Sequence, residues 1–250
     1  MKSPVDSSWP WDGTLKSAIR WIVMEGAAMA GLRIEKLEDT SHFWEDESFK
    51  TPFLQHQMRI TPGMISLRRG MYLYWLALAS GSGDIVEVGS WQGRSTIALA
   101  QACADSNNGI VHAVDTFLGN PGNRKSYIIG SEDLSDLESN FLHNIERAGL
   151  KSRVITYAMS SVRAAPLISQ ATEGIRLLHI DGEHSYNSVV SELFLYSQLL
   201  IDGGLIVLDD YSPAFPGVHK AVQEFLQVQG ERYGRPVQDK NLLVLKKLFP

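Results

Sequence analysis

From Asp84 onward the chain alternates two rhythms: short runs of β-branched and apolar residues, and longer stretches whose apolar positions recur every three or four residues. "DIVEVGS" is a strand closed by glycine, "RSTIALAQACADS" has helical period, and "GIVHAVDTF" is a second strand, which together make a βαβ unit. The alternation continues with a helix over 133–148, the strand "RVITYAM", a helix over 161–171 and the strand "IRLLHID". A helix over 185–200, the strand "GLIVLDD", a helix over 217–229 and the strand "NLLVLKK" complete it. This order predicts an α/β fold, a mainly parallel sheet with helices on both faces. Upstream, "DGTLKSAIRWIVMEGAAMAGL" has helical composition, and "GMISLRRGMYLYWLALAS" sets Met64, Leu67, Met71, Trp75 and Leu78 on one helix face. Residues 1–60 otherwise mix tryptophans, charges and prolines without a sustained period, and are read as an N-terminal helical extension or lid ahead of one domain over 61–250. The longest interruption, Leu118 to Ser131, is glycine-rich and polar and is expected to be a mobile lid.

Composition narrows the class. An apolar content of 44% with 20% charged residues is that of a soluble globular protein, and no apolar run approaches the roughly 20 residues of a membrane span. "MKSPVDSSWPWDG" lacks the basic start and apolar stretch of a signal peptide, so a cytoplasmic location is expected. A net charge of −5 without a basic block argues against nucleic acid as principal partner. The one cysteine, Cys103, sits in an apolar-periodic stretch and reads as core. Self-association is left open.

In open parallel sheets ligands bind beyond the carboxyl ends of the strands, so the residues that close each strand carry the functional weight. The first end reads "VEVGSWQGRS": Gly89 and Gly93 permit a tight strand-to-helix turn, but Trp91 stands where a dinucleotide fingerprint needs its middle glycine. NAD is therefore disfavoured. Asp115 closes the second strand, where a carboxylate accepts from both hydroxyls of a ribose, and Glu87 precedes the turn, where it suits a cationic group. A nucleoside without pyrophosphate fits this set; the plainer alternative makes Glu87 a strand-edge residue and Asp115 a solvated loop acid.

The series E-V-G-S-W-Q-G, V-D-T-F, H-I-D-G-E-H-S-Y and G-G-L-I-V-L-D-D-Y resembles the class I S-adenosylmethionine-dependent methyltransferases. Within them it is most similar to the macrocin-type sugar O-methyltransferase group, and more distantly to catechol O-methyltransferase, over roughly residues 60–250. The resemblance implies a Rossmann-like, doubly wound, seven-stranded sheet. It implies that Glu87, Gly89, Ser90 and Gly93 surround the methionine part of the cofactor, with Ser95 and Asp181 as further contacts. Asp115, with Thr116 beside it, would hold the ribose, and Met159 and Ser160 would flank the adenine.

The sheet order so implied brings Asp181 beside Asp209 and Asp210. Three carboxylates together would repel one another, and a cation is the economical way to keep all three ionised; hard oxygen ligands point to Mg²⁺ or another divalent ion. The isolated alternative has Asp209 capping a turn and Asp210 facing water. A metal would lower the pKa of an acceptor hydroxyl. In the sugar methyltransferases the acid two residues past the metal aspartate is the base; that position is Glu183 here, where the family more often has aspartate, and His184 is its rival. The expected activity is divalent-cation-assisted methylation of a hydroxyl on a small molecule, a sugar or natural-product intermediate. A non-catalytic nucleoside-binding subunit, a metal-dependent hydrolase and a component of cephalosporin-type methoxylation are the alternatives.

Overall fold

The computed structural model describes residues 51–119 and 136–248. The expected helix over 12–32, the aromatics Trp9, Trp11, Phe43 and Trp44, and most of the expected lid fall outside them. The described elements are α1 (Thr51–Ile60), α2 (Leu67–Ala79), β1 (Asp84–Val88), α3 (Arg94–Asp105), β2 (Val111–Asp115), α4 (Leu137–Arg147) and β3 (Val154–Ala158). After these come α5 (Ser161–Ala171), β4 (Ile175–Ile180), α6 (Tyr186–Tyr196), β5 (Leu200–Leu208), α7 (Pro216–Gln229), β6 (Val237–Asp239) and β7 (Leu242–Lys246).

The seven strands form one sheet in the order β3-β2-β1-β4-β5-β7-β6. All neighbours are parallel through β5, and β7 returns antiparallel between β5 and β6. This is the expected Rossmann-like, mostly parallel sheet; β6 alone had no legible strand pattern, being three residues long. The switch point lies between β1 and β4, where the chain leaves one half of the sheet for the other and a crevice opens at the carboxyl edge. Register makes that edge level. Val88 pairs with Val114 and Ile180, and Ile180 pairs with Leu208. The residues one step beyond, Gly89, Asp115, Asp181 and Asp209, therefore form a row.

The core has two layers, one on each face of the sheet. Ile85, Leu177, Leu205 and Val207 face α2 and α3, while Val86, Leu178, Ile206 and Leu208 face the layer of α5, α6 and α7. Strand side chains alternate between faces, so both layers are filled from the same short apolar runs. Each fully buried leucine or isoleucine stabilises the fold by about 1.5–3 kcal/mol. Cys103 is buried in the first layer, as expected.

Two expectations about the N-terminal part change. Helix α2 starts at Leu67, capped by Ser66, whose Oγ accepts from Arg69 N. Met64 lies before it and is exposed, while Gly70 through Leu78 are buried on all sides rather than along one stripe. Helix α1 supplies Leu54 and Met58 to the first core layer, so packing of the domain begins before residue 61. The contact is close: a Cβ on Gly70 would meet Met58 Cε at 1.8 Å.

Candidate active site

The row of strand ends forms the floor of a 720 Å³ cavity. Gly89 opens the turn after β1 with φ +90°, and a Cβ there would stand 2.1 Å from the Asp181 carbonyl oxygen, so only glycine lets the β1 and β4 ends approach this closely. Asp115 then fastens the turn. Its Oδ2 accepts from Ser90 N at 3.0 Å and Trp91 N at 2.8 Å, and its Oδ1 accepts from Phe117 N at 2.8 Å. Burial raises the Asp115 pKa, and these three N–H donors offset part of that.

Gly89, Ser90, Ser95, Asp115, Thr116, Met159, Ser160, Asp181, Glu183, His184, Asp209 and Asp210 all line the cavity. Two expected residues do not. Glu87 shares its strand face with Ile85 and so points down toward α3, where Thr96 Oγ1 donates to its Oε2 and His179 Nδ1 stands 3.4 Å from Oε1. It is fully buried, and Glu87 and His179 are register partners. Burial lowers the His179 pKa, but the hydrogen bond and charge of Glu87 outweigh it and the net shift is upward. Glu87 thus lies beneath the turn and not among the residues that line the cavity. Gly93 is the left-handed residue before α3, packed under the turn against Phe141.

The acidic residues converge, but their charges are compensated in a way the sequence did not disclose. Arg69 of α2 places Nη1 3.0 Å from Asp209 Oδ1 and donates from Nη2 to Asn241 Oδ1 at 2.8 Å. Asn241, at the start of β7, donates from Nδ2 to Asp210 Oδ1 at 2.9 Å. His184 Nε2 stands 2.9 Å from Asp210 Oδ2 and 3.9 Å from Asp181 Oδ1. Asp209, expected as a metal ligand, is therefore an ion-pair partner of Arg69. The donor atoms that lie together, within 4.8 Å of one another, belong to Asp181, His184 and Asp210. The two carboxylates of Asp181 and Asp210 suit a hard divalent cation, and a neutral His184 imidazole completes the set in place of Asp209, so a cation bound there displaces the His184 proton.

Titration follows from this layout. Burial pulls the His184 pKa down, but the neighbouring carboxylates of Asp181 and Asp210 outweigh it and raise it to about 9. The imidazole is therefore protonated at neutral pH, not near the unperturbed value expected of a resting base. Asp210, in left-handed backbone at φ +58°, is pushed upward by burial but held below the usual range by His184, Asn241 and Arg69. Burial raises Asp181, opposed by His184 and reinforced by Asp209 and Asp210. Glu183 turns toward α6, where Ser188 Oγ donates to its Oε2 at 2.6 Å.

Residues 86–211 match the methyltransferase domain family. The chain belongs to that family. The fold of this methyltransferase domain is shared with solved O-methyltransferases. Similarity to the O-methyltransferase NovP extends over 94% of this chain and 99% of that one, at TM-score 0.63 and 19% identity. For TomG from Streptomyces achromogenes, an O-methyltransferase involved in tomaymycin synthesis and solved with S-adenosylmethionine, the figures are 92% and 98%, TM-score 0.56 and 16% identity. In sequence, the chain is 36% identical over 74 residues to uncharacterized protein R132 of Acanthamoeba polyphaga mimivirus. That match covers 27% of this chain and 32% of R132, so the chain spans about a third of the length of the curated relative it matches.

Four residues that line the cavity were not legible beforehand: Arg69, Asn241, Ser161 and Glu192. Arg69 stands in a helix whose next nine residues are buried, and a cation in such company was its one signal. Asn241 reaches the acids because β7 runs antiparallel beside β5. Ser161 and Glu192 lie on α5 and α6, and only the packing of those helices brings them to the cavity.

Proposed function

We propose that this chain is an S-adenosylmethionine-dependent O-methyltransferase that methylates a hydroxyl of a small molecule, a sugar or another natural-product intermediate, with help from a divalent cation such as Mg²⁺. The observation that carries the reading is the level row Gly89, Asp115, Asp181 and Asp209 under one cavity, within a chain of the methyltransferase domain family. A cavity of 720 Å³ has room for a nucleoside and an acceptor together. The donors named for TomG and the O-methyl transfer named for both solved proteins favour the same chemistry here. Among the described residues no helix is long and apolar enough to cross a membrane, in keeping with a cytoplasmic enzyme acting on a dissolved acceptor.

Methyl transfer is an in-line displacement: the acceptor oxygen bonds to the methyl carbon, the carbon–sulfur bond breaks, and the hydroxyl proton leaves for a base. Alignment is most of the catalytic task. Gly89 and Ser90 give the methionine part a close backbone surface, and Asp115 Oδ1 keeps one lone-pair site beyond the three N–H bonds for a ribose hydroxyl. Asp181 and Asp210, with His184, would hold the cation, which when bound supplies charge that lowers the acceptor's pKa. Glu183, which lines the cavity beside the corner, is the proton acceptor in this layout, since His184 is engaged by Asp181 and Asp210. Arg69 holds Asp209 in place.

Calorimetric titration of the full chain with S-adenosylmethionine is the first test, and absence of binding sinks the reading. Methyl transfer to a panel of sugar and phenolic hydroxyls is the second. EDTA should abolish turnover, Mg²⁺ should restore it, and Asp181→Asn should lower it by about 100-fold or more. Turnover indifferent to EDTA removes the cation and leaves the methyl transfer standing.

A further inference from the structure

One carboxylate in the cavity has no role in the chemistry above. Glu192 of α6 is 2% exposed, yet it lines the cavity. Its Oε1 accepts from Ser161 Oγ at 2.8 Å, whereas its buried Oε2 has no hydrogen-bond partner among the described residues. A buried acceptor left unpaired costs about 1–3 kcal/mol, and more when charged. The surroundings relieve it only in part: burial raises the Glu192 pKa to about 7, the Ser161 hydrogen bond opposes the rise, Glu183 adds to it and His184 opposes it. A group in this state needs an N–H or O–H donor from whatever fills the cavity.

Position says which part of a ligand could bring it. Along the carboxyl edge the sheet order runs from β5, with Asp209 and Asp210, through β4 and β1, with the Asp181 end and the glycine turn, to β2 with Asp115, and then to β3. Under the proposed reading, on which this inference rests, the reacting sulfonium faces the acidic corner and the ribose lies at Asp115. The base must then extend toward the segment after β3, the wall made by Met159, Ser160, Ser161 and Val162. Glu192 is bonded to that wall through Ser161, and its Oε1 lies 3.8 Å from where a Cβ on Gly182 would stand. Gly182, lacking a side chain, leaves room beside Oε1 of this carboxyl. Under that reading the purine is the part of the cofactor that reaches this wall, and its exocyclic amino group is the donor it carries.

We propose that Glu192 is the residue by which this enzyme recognises adenine, its Oε2 accepting a hydrogen bond from the exocyclic amino group of the base. Ser161 is the positioning residue that fixes the carboxyl. With the carboxyl ionised, as it is above about pH 7, the same arrangement rejects hypoxanthine, whose carbonyl at that position would meet the carboxylate oxygen with no proton between them. A site built to take a hydrogen bond discriminates strongly against the analogue that lacks it.

The test compares S-adenosylhomocysteine with S-inosylhomocysteine, which differ at that one group, by isothermal titration calorimetry on the full chain at a pH well above 7, where Glu192 is ionised. Wild type should bind the adenine compound about 10- to 100-fold more tightly, as expected for a hydrogen bond to a charged group. Glu192→Met, which keeps the length and removes the acceptor, should reduce that preference to within about threefold. Glu192→Gln, which retains a partner for Ser161 and can turn an amide N–H toward a carbonyl, should do the same. Because the ratio of two affinities is read, a general loosening of either variant does not imitate the result. A wild type that binds both compounds equally, or variants that keep the full preference, overturn the assignment of Glu192 and leave the cofactor reading intact. A wild type that binds neither overturns both.

Discussion

Arg69 and Asp209 lie 140 positions apart in the chain and meet at 3.0 Å, with side chains 13% and 10% exposed. Removing one partner of such a pair leaves the other charge poorly solvated, which is costlier than never having had the pair. Arg69→Met should therefore destabilise the fold by about 1–3 kcal/mol in urea, and Asp209→Asn in the same chain should recover part of the loss. Additive effects of the two changes would show that the pair does not interact. Glu192 bears on stability with the opposite logic. Its folded pKa, about 7, lies above the 4.5 of an unfolded glutamate, so the folded state binds the extra proton between those values. Stability should be greatest below about pH 4.5 with respect to this group and fall as pH rises to about 7, by up to about 3 kcal/mol. Thermal melts of wild type and Glu192→Gln between pH 5 and 8 check the sign: the variant should lose this downward slope. Neither effect was legible beforehand, because a burial penalty and a long-range ion pair depend on neighbours that the local sequence does not name.

Two glycines show how an element sets the consequence of one added methyl. At Gly89 the backbone is left-handed and the obstacle is the Asp181 carbonyl, part of the β4 end that cannot move without disturbing the row. Gly89→Ala should cost about 3 kcal/mol or more, read as a fall in the denaturation midpoint, and it should also close the cavity floor to ligand. At Gly70, inside α2, the obstacle is nearer but is the end of the flexible Met58 side chain. The helix gains about 1 kcal/mol from alanine in place of glycine, so Gly70→Ala should stay within about 1.5 kcal/mol of wild type. Elements with a strong period were read well from sequence: α5 was expected over 161–171 and is found there. Helix α2 was read less well, since a helix buried on all sides has no polar face to mark its orientation.

At the scale of the molecule, the row beneath the cavity makes ligand binding and fold stability one quantity. Anything that binds only the folded state raises its stability by RT ln(1 + [L]/Kd), about 2.7 kcal/mol at a hundred times Kd. S-adenosylhomocysteine at that excess should raise the melting temperature measurably. Asp115→Asn at the same concentration should lose most of the rise, because its amide cannot accept at both former oxygens and turns an N–H toward Ser90, Trp91 or Phe117. An unchanged rise in the variant would remove Asp115 from the binding site.

The strand ends were visible in the chain itself. A glycine turn, and carboxylates at 115, 181, 209 and 210 each following an apolar run, announce a parallel sheet with a polar edge, since strand period and burial are local properties of the sequence. Which acid serves which partner was not. Glu87 and Asp115 both sat by strand ends, but alternation turned Glu87 into the α3 layer while Asp115 stayed at the crevice. Asp209 was taken by a helix residue, and His184 joined Asp181 and Asp210 in its place. Charge pairing is decided by distances across elements, and those exist only once α2, α6 and β7 have packed against the sheet.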